Sequence, residues 1–330
     1  MLYKIKYIII FIILISTRIN AQDPHFSQFY ANSLYLAPSF AGSTEDNRLI
    51  LNYRNQWPGI DNVYSTYSVS YDHYFPNFRS GLGILATYDV AGSGDLSNTN
   101  IGLIYSYDIQ INQEWHIRPG VNFKFVHNGL NYGKLIWNSM ITPNSATPVL
   151  YPPGFESVSD IDFAASVLAF NDRMWGGVTV DHLFRPTYSF YGDWSDGVPV
   201  KVNVFGGAQI SRRGRLIQEY KEIVYVAGNV KYQDGAWQSD LGFYYYRNPL
   251  MFGVWYRGIP FLTSQAGDAI VLLVGYKTDK FHIGYSYDFT ISNLIGNSGG
   301  AHEVSLVWNF STFNINSRAR MFHALPCPDF

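Results

Sequence analysis

The sequence lacks three features that define common classes of protein. Its single cysteine, Cys327, allows no disulfide within the chain. Beyond residue 15, no apolar run approaches the roughly 20 residues that a membrane-spanning helix needs. Charge is scarce and balanced, since 23 Lys and Arg oppose 25 Asp and Glu for a net charge of −2. Nucleic-acid binding requires a basic surface, so no nucleic acid is expected as a partner.

The N-terminus has the pattern of a secretory signal peptide. Residues 1–6 carry two lysines, residues 7–15 are all apolar, and the small residue Ala21 precedes Gln22. The apolar run is too short to span a membrane. We therefore interpret residues 1–21 as a cleaved leader and expect the mature chain to be exported from a Gram-negative cytoplasm.

Aromatic residues make up 17% of the chain, and many of them alternate with small polar residues. Between residues 64 and 74, one face carries Tyr67, Val69 and Tyr71, and the residues between them are polar. A period of two with one apolar face predicts β-strands. A Pro-Gly pair at 58–59 supplies turn chemistry, so a hairpin is expected here.

The same alternation recurs to residue 310 and predicts about 14 strands. After the hairpin at 48–74, the predicted segments are 80–89, 99–109, 114–128, 159–170, 174–182, 200–211, 222–232, 237–247, 250–257, 269–277, 281–290 and 301–310. Most are near the ~9–11 residues that a tilted strand needs to cross a bilayer. This pattern favours an all-β fold, a transmembrane outer-membrane β-barrel of antiparallel strands over residues 48–310.

The connections between these segments alternate in length. The short ones are 75–79, 110–113, 171–173, 248–249 and 278–280, and the long ones are 90–98, 129–158, 183–199, 258–268 and 291–300. Short periplasmic turns and long external loops are typical of outer-membrane barrels. A secreted β-sandwich, the alternative for a chain of aromatic strands, has no reason to alternate. The connections 212–221 and 233–236 fit the alternation less well.

The last two segments predict which side chains face lipid. The lipid-facing residues are Phe281, Ile283, Tyr285, Tyr287, Phe289, Val304, Leu306, Trp308 and Phe310. The lumen-facing residues are His282, Gly284, Ser286, Asp288, Glu303, Ser305 and Asn309. An arginine at Leu306 should therefore damage assembly more than one at Ser305, where lumen water would hydrate it. The contents of the lumen are not predicted.

Two segments flank the predicted barrel. Residues 22–47 begin with an Asp-Pro pair that suits a helix start, and their aromatic residues at 26, 29 and 30 lie near helical spacing. We interpret them as a periplasmic or plug segment covering the barrel mouth, with a partner-binding element as the alternative. Residues 311–330 are interpreted as a C-terminal tail.

Motifs at both ends of the mature chain resemble the PorP/SprF family of Bacteroidetes outer-membrane proteins. They are QDPHFSQFYANSLYLAPSFAG at 22–42, YRNQWPG at 53–59 with TYS at 66–68 and YDH at 71–73, and the terminal CPDF at 327–330. The resemblance implies a barrel of the type IX secretion system, located in the outer membrane. It also implies a role in protein secretion and gliding motility, by exporting a large surface adhesin or anchoring it through its C-terminal domain.

The same resemblance implies other type IX secretion components and outer-membrane lipid as partners. A passive transporter for a small solute is the alternative function, because barrels of this size can carry a path through the lumen. A third class is an outer-membrane enzyme with a Ser and a His on neighbouring strands, such as Ser286 or Ser305 with His282 or His302.

Patterns for catalysis, cofactors and metals are missing from the sequence. The 8 His residues include no metalloprotease pair, the chain has no Cys pair, and it contains no G-x-S-x-G elbow. We therefore expect no enzyme, no cofactor and no metal site.

Aromatic residues in the predicted external loops are the candidate partner contacts. They are Trp57, Trp137, Tyr188, Phe190, Tyr191 and Trp194. Aromatic groups exposed outside a bilayer often mark protein interfaces. The alternative is that these rings sit at the lipid headgroups or cap the lumen. The loop 183–199 is the best candidate because four of the six lie in it.

Overall fold

The computed structural model describes residues 23–44, 47–59, 64–135, 156–190, 197–213, 222–259, 268–291 and 299–311. Within them, one antiparallel sheet of 15 strands closes on itself. The strands are β1 Asn47–Gln56, β2 Tyr64–Phe75, β3 Ser80–Ala91, β4 Leu96–Tyr107, β5 Ile109–Gln110, β6 His116–Gly129, β7 Ser157–Phe170, β8 Met174–Asp181, β9 Lys201–Arg213, β10 Glu222–Gln233, β11 Ala236–Arg247, β12 Leu250–Arg257, β13 Ala269–Lys277, β14 Phe281–Thr290 and β15 Ala301–Phe310.

Two pairings close the sheet into a barrel. The first strand, β1, pairs with the last, β15, as well as with β2, and β4 pairs directly with β6. The two-residue β5 pairs only with the first two residues of β6. The wall therefore consists of 14 long strands. A closed wall leaves no unpaired backbone groups in hydrocarbon. The predicted fold class, an outer-membrane β-barrel of about 14 antiparallel strands, is confirmed.

The strands lie where the alternation predicts them, with ends that differ by a few residues. The largest difference is between β3 and β4, which run to Ala91 and from Leu96. The connection predicted as a long loop at 90–98 is therefore a tight turn. Gly92 and Asp95 have φ angles of +73° and +45°, and such left-handed positions allow a close chain reversal.

Side chains alternate between the two faces of the wall as predicted. In β15, Val304 is 43% exposed and Ser305 is fully buried, and in β14 Ile283 is 51% exposed while Ser286 is fully buried. The outward face is a continuous band of apolar and aromatic side chains, which lipid rather than water would cover. Of the helices in the described residues, none has the length and hydropathy that crossing a membrane requires.

The barrel interior is filled by residues 23–44, which we call the luminal segment. It contains one short helix, α1, at Ser33–Leu36 and a 3-10 turn at Pro38–Phe40. Nearly all its side chains from residue 26 to residue 43 are buried. A Cβ at Gly120 of the wall would lie 2.4 Å from the Ser39 nitrogen, so glycine permits this close contact.

Candidate functional site

The luminal segment runs along the barrel axis between two ends that differ in their connections. The short-turn end carries the connections 76–79, 171–173, 248–249 and 278–280, with longer ones at 108–115 and 214–221. The long-loop end carries 57–63, 130–156, 182–200, 258–268 and 291–300, with tight turns at 92–95 and 234–235. Asn47 begins β1 at the short-turn end, opposite Phe310. Asp23 contacts Lys201, the first residue of β9, at the long-loop end. The segment therefore enters the described structure near the long-loop end and leaves the lumen at the other.

A cluster of six ionisable side chains, which we call the upper cluster, fixes the start of the segment. It consists of Asp23, Lys124, Asp162, Asp181, His182 and Lys201. The His182 ring bonds Asp162 through Nδ1 and Asp23 through Nε2, both at 2.8 Å. Three carboxylates face two lysines and one histidine, so the cluster is electrically neutral when His182 is protonated.

The surroundings of His182 favour that protonated form. Burial alone would lower the pKa of His182, but the charges of Asp23 and Asp181 and the bonds to Asp162 and Asp23 raise the pKa to about 9. The pKa of the Asp23 carboxyl is held well below its usual range, because Lys201 and His182 outweigh the effect of burial. Both shifts favour the ionised forms of Asp23 and His182 at neutral pH.

Three members of the upper cluster are of types that bind metal ions. The ligand atoms of Asp23, Asp181 and His182 lie within 4.8 Å of one another. However, the Lys201 and Lys124 ammonium groups already contact these two carboxylates. The two cations occupy the positions that a metal would need, so the arrangement is an ion-pair cluster and does not fit a metal site.

A second polar network, the middle network, holds residues 27 and 28 deep in the lumen. The Glu303 carboxylate accepts the backbone N–H groups of Ser27 and Gln28 at 2.7 and 2.9 Å. Arg54 pairs with Asp288 at 2.8 Å and with Glu303 at 3.1 Å, and Arg257 pairs with Asp288 at 3.0 Å. All four charged residues are buried, and such groups are stable only when mutually paired.

A third set of bonds holds the end of the segment near the short-turn end. The Arg48 guanidinium contacts Asp72 at 2.9 Å, and the other Asp72 oxygen accepts the Gly42 N–H at 2.7 Å. Arg118 donates to the Gly42 carbonyl at 3.1 Å. Charged side chains of the wall therefore hold the luminal segment at three levels, by ion pairs to Asp23 and by hydrogen bonds to residues 27, 28 and 42.

The filled lumen changes one expectation from the sequence. Ser305 faces inward as predicted, but its hydroxyl donates to Gln28 at 2.7 Å and the residue is fully buried. An arginine there would displace the segment rather than remain hydrated. Leu306→Arg and Ser305→Arg therefore do not test the two faces of the wall. That test requires an inward residue that borders open space.

The serine and histidine combinations considered for an enzyme fall on both sides of the wall. Ser286 and Ser305 both bond the Gln28 side chain inside the barrel. His302 lies on the outward side of the wall, where Nδ1 and the Tyr285 hydroxyl are 2.8 Å apart, so the wall separates it from both serines. His282 is buried on the inward face like the serines, but both serine hydroxyls are engaged by Gln28, which fills the space a substrate would need.

An open cavity of about 1420 Å³, the vestibule, lies above the luminal segment at the long-loop end. Asp23, His25 and Tyr35 are among the segment residues that border it. The opposite lining includes a row of polar side chains in register across β2, β3, β4 and β6, namely Thr66, Asp89, Asn98 and Asn128. The vestibule therefore has a mixed polar and apolar lining, and its inner end is closed by the luminal segment.

Three of the six predicted contact residues border the vestibule. Trp57, Tyr188 and Phe190 line it, and the Tyr188 hydroxyl accepts from Asn98 Nδ2 at 3.0 Å. Trp57 packs edge-on against Tyr64 with ring centroids 5.5 Å apart. Trp137, Tyr191 and Trp194 lie outside the described residues. The structure thus places the described candidates around one chamber.

The two ion-pair clusters are the part of the site that sequence reasoning missed. Arg54, Arg257, Asp288 and Glu303 are charged residues at inward positions of predicted strands. Inward charges are hydrated in an open lumen and need a charged partner only in a filled one, so the pattern alone did not separate the two cases. The partners could not be predicted, because Ser27 and Glu303 are 276 positions apart in sequence.

Comparisons with known proteins agree on the class of this molecule. Residues 19–308 match the family described as type IX secretion system membrane protein PorP/SprF. No curated protein sequence matches the chain. The solved structures that resemble it are outer-membrane barrels of low sequence identity.

Three of these structures show the extent of the similarity. The deltaS2 mutant of the monoaromatic hydrocarbon channel TodX has a TM-score of 0.52 at 11% identity, over 85% of this chain and 94% of that one. The Pseudomonas putida toluene transporter TodX scores 0.47 at 12% identity, over 83% and 92%. An Acinetobacter baumannii outer membrane protein scores 0.45 at 6% identity, over 81% and 99%. At these identities only the barrel fold is shared.

Proposed function

We propose a function from the premise that this chain belongs to the PorP/SprF family of type IX secretion system membrane proteins. Its barrel helps to export a large surface adhesin or anchors it through the adhesin's C-terminal domain. The barrel is an outer-membrane protein, and its family implies association with other type IX secretion components. Neither the family nor the fold is that of an enzyme class.

The filled lumen is the observation that carries this proposal. Aromatic and apolar side chains of the luminal segment, such as Phe26, Phe29, Leu34 and Phe40, are almost fully buried inside the wall. The polar networks described above fix the segment at several levels. A barrel whose interior is packed in this way is suited to presenting surfaces to another protein, whereas passive diffusion of a solute needs a continuous path.

The long-loop end is the proposed contact surface for the surface protein. Long loops of outer-membrane barrels are external, and a surface protein must be met outside the cell. Trp57, Tyr188 and Phe190 border the vestibule at this end, and aromatic anchors carry much of the affinity of protein interfaces. Trp137, Tyr191 and Trp194 remain candidates of the same kind.

A deletion strain tests the proposed role directly. Surface proteins of wild-type, deletion and complemented cells would be compared by quantitative proteomics after removal from intact cells. The proposal expects one or a few large exported proteins to disappear from the deletion surface and to return on complementation. An unchanged surface protein profile in the deletion strain would contradict the proposal.

The vestibule is the one observation that favours the second candidate, a passive transporter for a small solute. Its volume of about 1420 Å³ is ample for a small molecule. Conductance measurements in planar bilayers distinguish the two functions. The packed lumen predicts no steady conductance from the purified barrel, whereas a solute path would give stepwise currents that a specific solute blocks.

A further inference from the structure

Among the described residues, Lys231 is a lumen-facing cation that differs from its neighbours in having no ion pair. Six cations around the luminal segment each contact a carboxylate, namely Arg48, Arg54, Arg118, Lys124, Lys201 and Arg257. In the described part of the chain, Lys231 forms no such pair, and its Nζ lies 5.9 Å from the centre of the Phe29 ring. A largely desolvated ammonium group ordinarily requires an anionic or strongly polar partner.

The charges around Lys231 do not supply an anionic partner in direct contact with it. Asp240 is the attracting charge, whereas Arg257, Lys201 and Arg54 repel it. The Asp240 carboxylate lies beyond ion-pair distance of Lys231, and it accepts from the Gln238 side chain at 2.9 and 3.1 Å. The local field at Lys231 is therefore favourable for an additional negative group.

A small cavity is present at the same place. It has a volume of about 70 Å³ and is lined by Lys231, His25, Asn203, Gln233 and Gln238 among others. Two carboxylates, Asp23 and Asp181, also line it, and each is already paired with a lysine of the upper cluster. Asn203 and Gln238 flank Lys231 in the sheet, on β9 and β11. Asp23, His25 and Lys201 border both this cavity and the vestibule, so the two are neighbours along the same wall of the luminal segment.

The polar groups around this cavity are suited to an anion. His25 Nε2 and Asn203 Oδ1 have no hydrogen-bond partner among the described atoms. Rotation of the Asn203 amide exchanges its oxygen for an N–H donor at no cost in shape. Burial and the nearby cations hold the pKa of His25 well below its usual range, so its neutral ring can also offer one N–H.

We propose that Lys231 and its flanking amides form a binding site for a small oxyanion group, a carboxylate or a phosphate, at the foot of the vestibule. The ammonium of Lys231 supplies the charge, and the amide and imidazole N–H groups supply directed hydrogen bonds. A free ion and the carboxylate end of a polypeptide reaching in through the vestibule present the same chemistry. The site goes beyond the export role and stands independently of it.

Anion-dependent thermal stability of the purified full-length barrel tests this site. Melting temperatures would be measured at neutral pH and constant ionic strength, with chloride replaced by formate, acetate or phosphate. Chloride is the reference because it is not an oxyanion and lacks the paired oxygens that would accept from the ammonium and the amides together. Binding to the folded state should raise the melting temperature by about 2–4 °C in the small oxyanions.

Two variants decide whether the effect belongs to this cavity. Lys231→Met should abolish the difference between formate and chloride, whereas Lys280→Met, at an exposed turn, should retain it. Lys231→Arg, which keeps the charge, provides a second variant if the methionine form does not fold, and should retain a measurable difference. No anion dependence in the wild type, or an undiminished one in Lys231→Met, would overturn the proposal.

A pair of short peptides separates the two sources of the oxyanion. N-acetyl-triglycine carries a free carboxylate, and N-acetyl-triglycinamide is the same chain without it. Stabilisation by the acid at lower concentration than acetate, and none by the amide, indicates a chain end entering through the vestibule. Equal potency of the acid and acetate indicates a free ion.

Discussion

At the scale of single residues, His182 makes the stability of the contacts between the luminal segment and the wall depend on pH. Its folded-state pKa of about 9 lies above the usual value near 6.5. A raised pKa contributes stability that is fully present below pH ~6.5 and is lost as the pH rises through the folded pKa. The shift corresponds to on the order of 3 kcal/mol at most. The wild-type barrel should therefore become less stable between pH 7 and pH 9.5.

Unfolding in denaturant at the two pH values measures this change. His182→Gln should be less stable than the wild type at pH 7, and the two proteins should converge at pH 9.5. An equal pH dependence in both proteins would show that the loss arises elsewhere.

Arg54 lies at the centre of the middle network and is the most sensitive charged residue in the lumen. Arg54→Met leaves Glu303 and Asp288 with fewer partners in a buried setting. Removing one partner of a buried pair typically costs about 3–5 kcal/mol. We expect a clear fall in the temperature at which the folded band is lost in heat-modifiability gels.

Arg173→Met is the matched control for Arg54. Arg173 is exposed at a short turn, and surface substitutions usually change stability by less than about 0.5 kcal/mol. Equal stability of the two variants would mean that the middle network does not hold the fold.

At the scale of strands, β4 offers adjacent residues on opposite faces of the wall. Ile101 is 48% exposed on the lipid side, and Asn100 lines the vestibule. Ile101→Arg should sharply reduce the amount of folded barrel, because arginine facing lipid costs about 2–4 kcal/mol near the midplane. Asn100→Arg should assemble nearly normally, since its charge can reach water in the vestibule.

The measurement is the abundance and heat-modifiable mobility of each variant in isolated outer membranes. Similar losses in both variants would contradict the assigned faces of β4. This pair is used in place of Leu306 and Ser305, because the Ser305 side chain contacts Gln28 and does not border open space.

Strands were predictable from the sequence because each one carries its own signal. The alternation in β14 and β15 depends only on near neighbours, so both faces follow from reading it. A plug was one interpretation of residues 22–47, but the course of the luminal segment through the lumen was not predictable, since its few helical residues resemble those of many surface segments. Its position depends on contacts such as Ser27 with Glu303 and Asp23 with Lys201, which join distant parts of the chain.

At the scale of the whole molecule, the orientation of the barrel in the membrane is a separate prediction. Ser93 is exposed in the turn between β3 and β4 at the long-loop end, and Asp172 is exposed at the short-turn end. In a Cys327→Ser background, a cysteine at Ser93 should react with an impermeant maleimide on intact cells. A cysteine at Asp172 should react only after the outer membrane is opened. The reverse pattern would invert the orientation.

The central claim is that an intact, internally closed barrel serves a surface protein through the vestibule at its long-loop end. The most direct measurement is the surface amount of the proteins that disappear in the deletion strain, quantified in cells carrying Trp57→Ala with Phe190→Ala. Phe78→Ala is the control, because this ring is 73% exposed at the short-turn end. The account predicts normal barrel abundance in both strains, with the surface proteins lost or released into the medium only in the vestibule variant. Normal surface display from a normal barrel in that variant would contradict it.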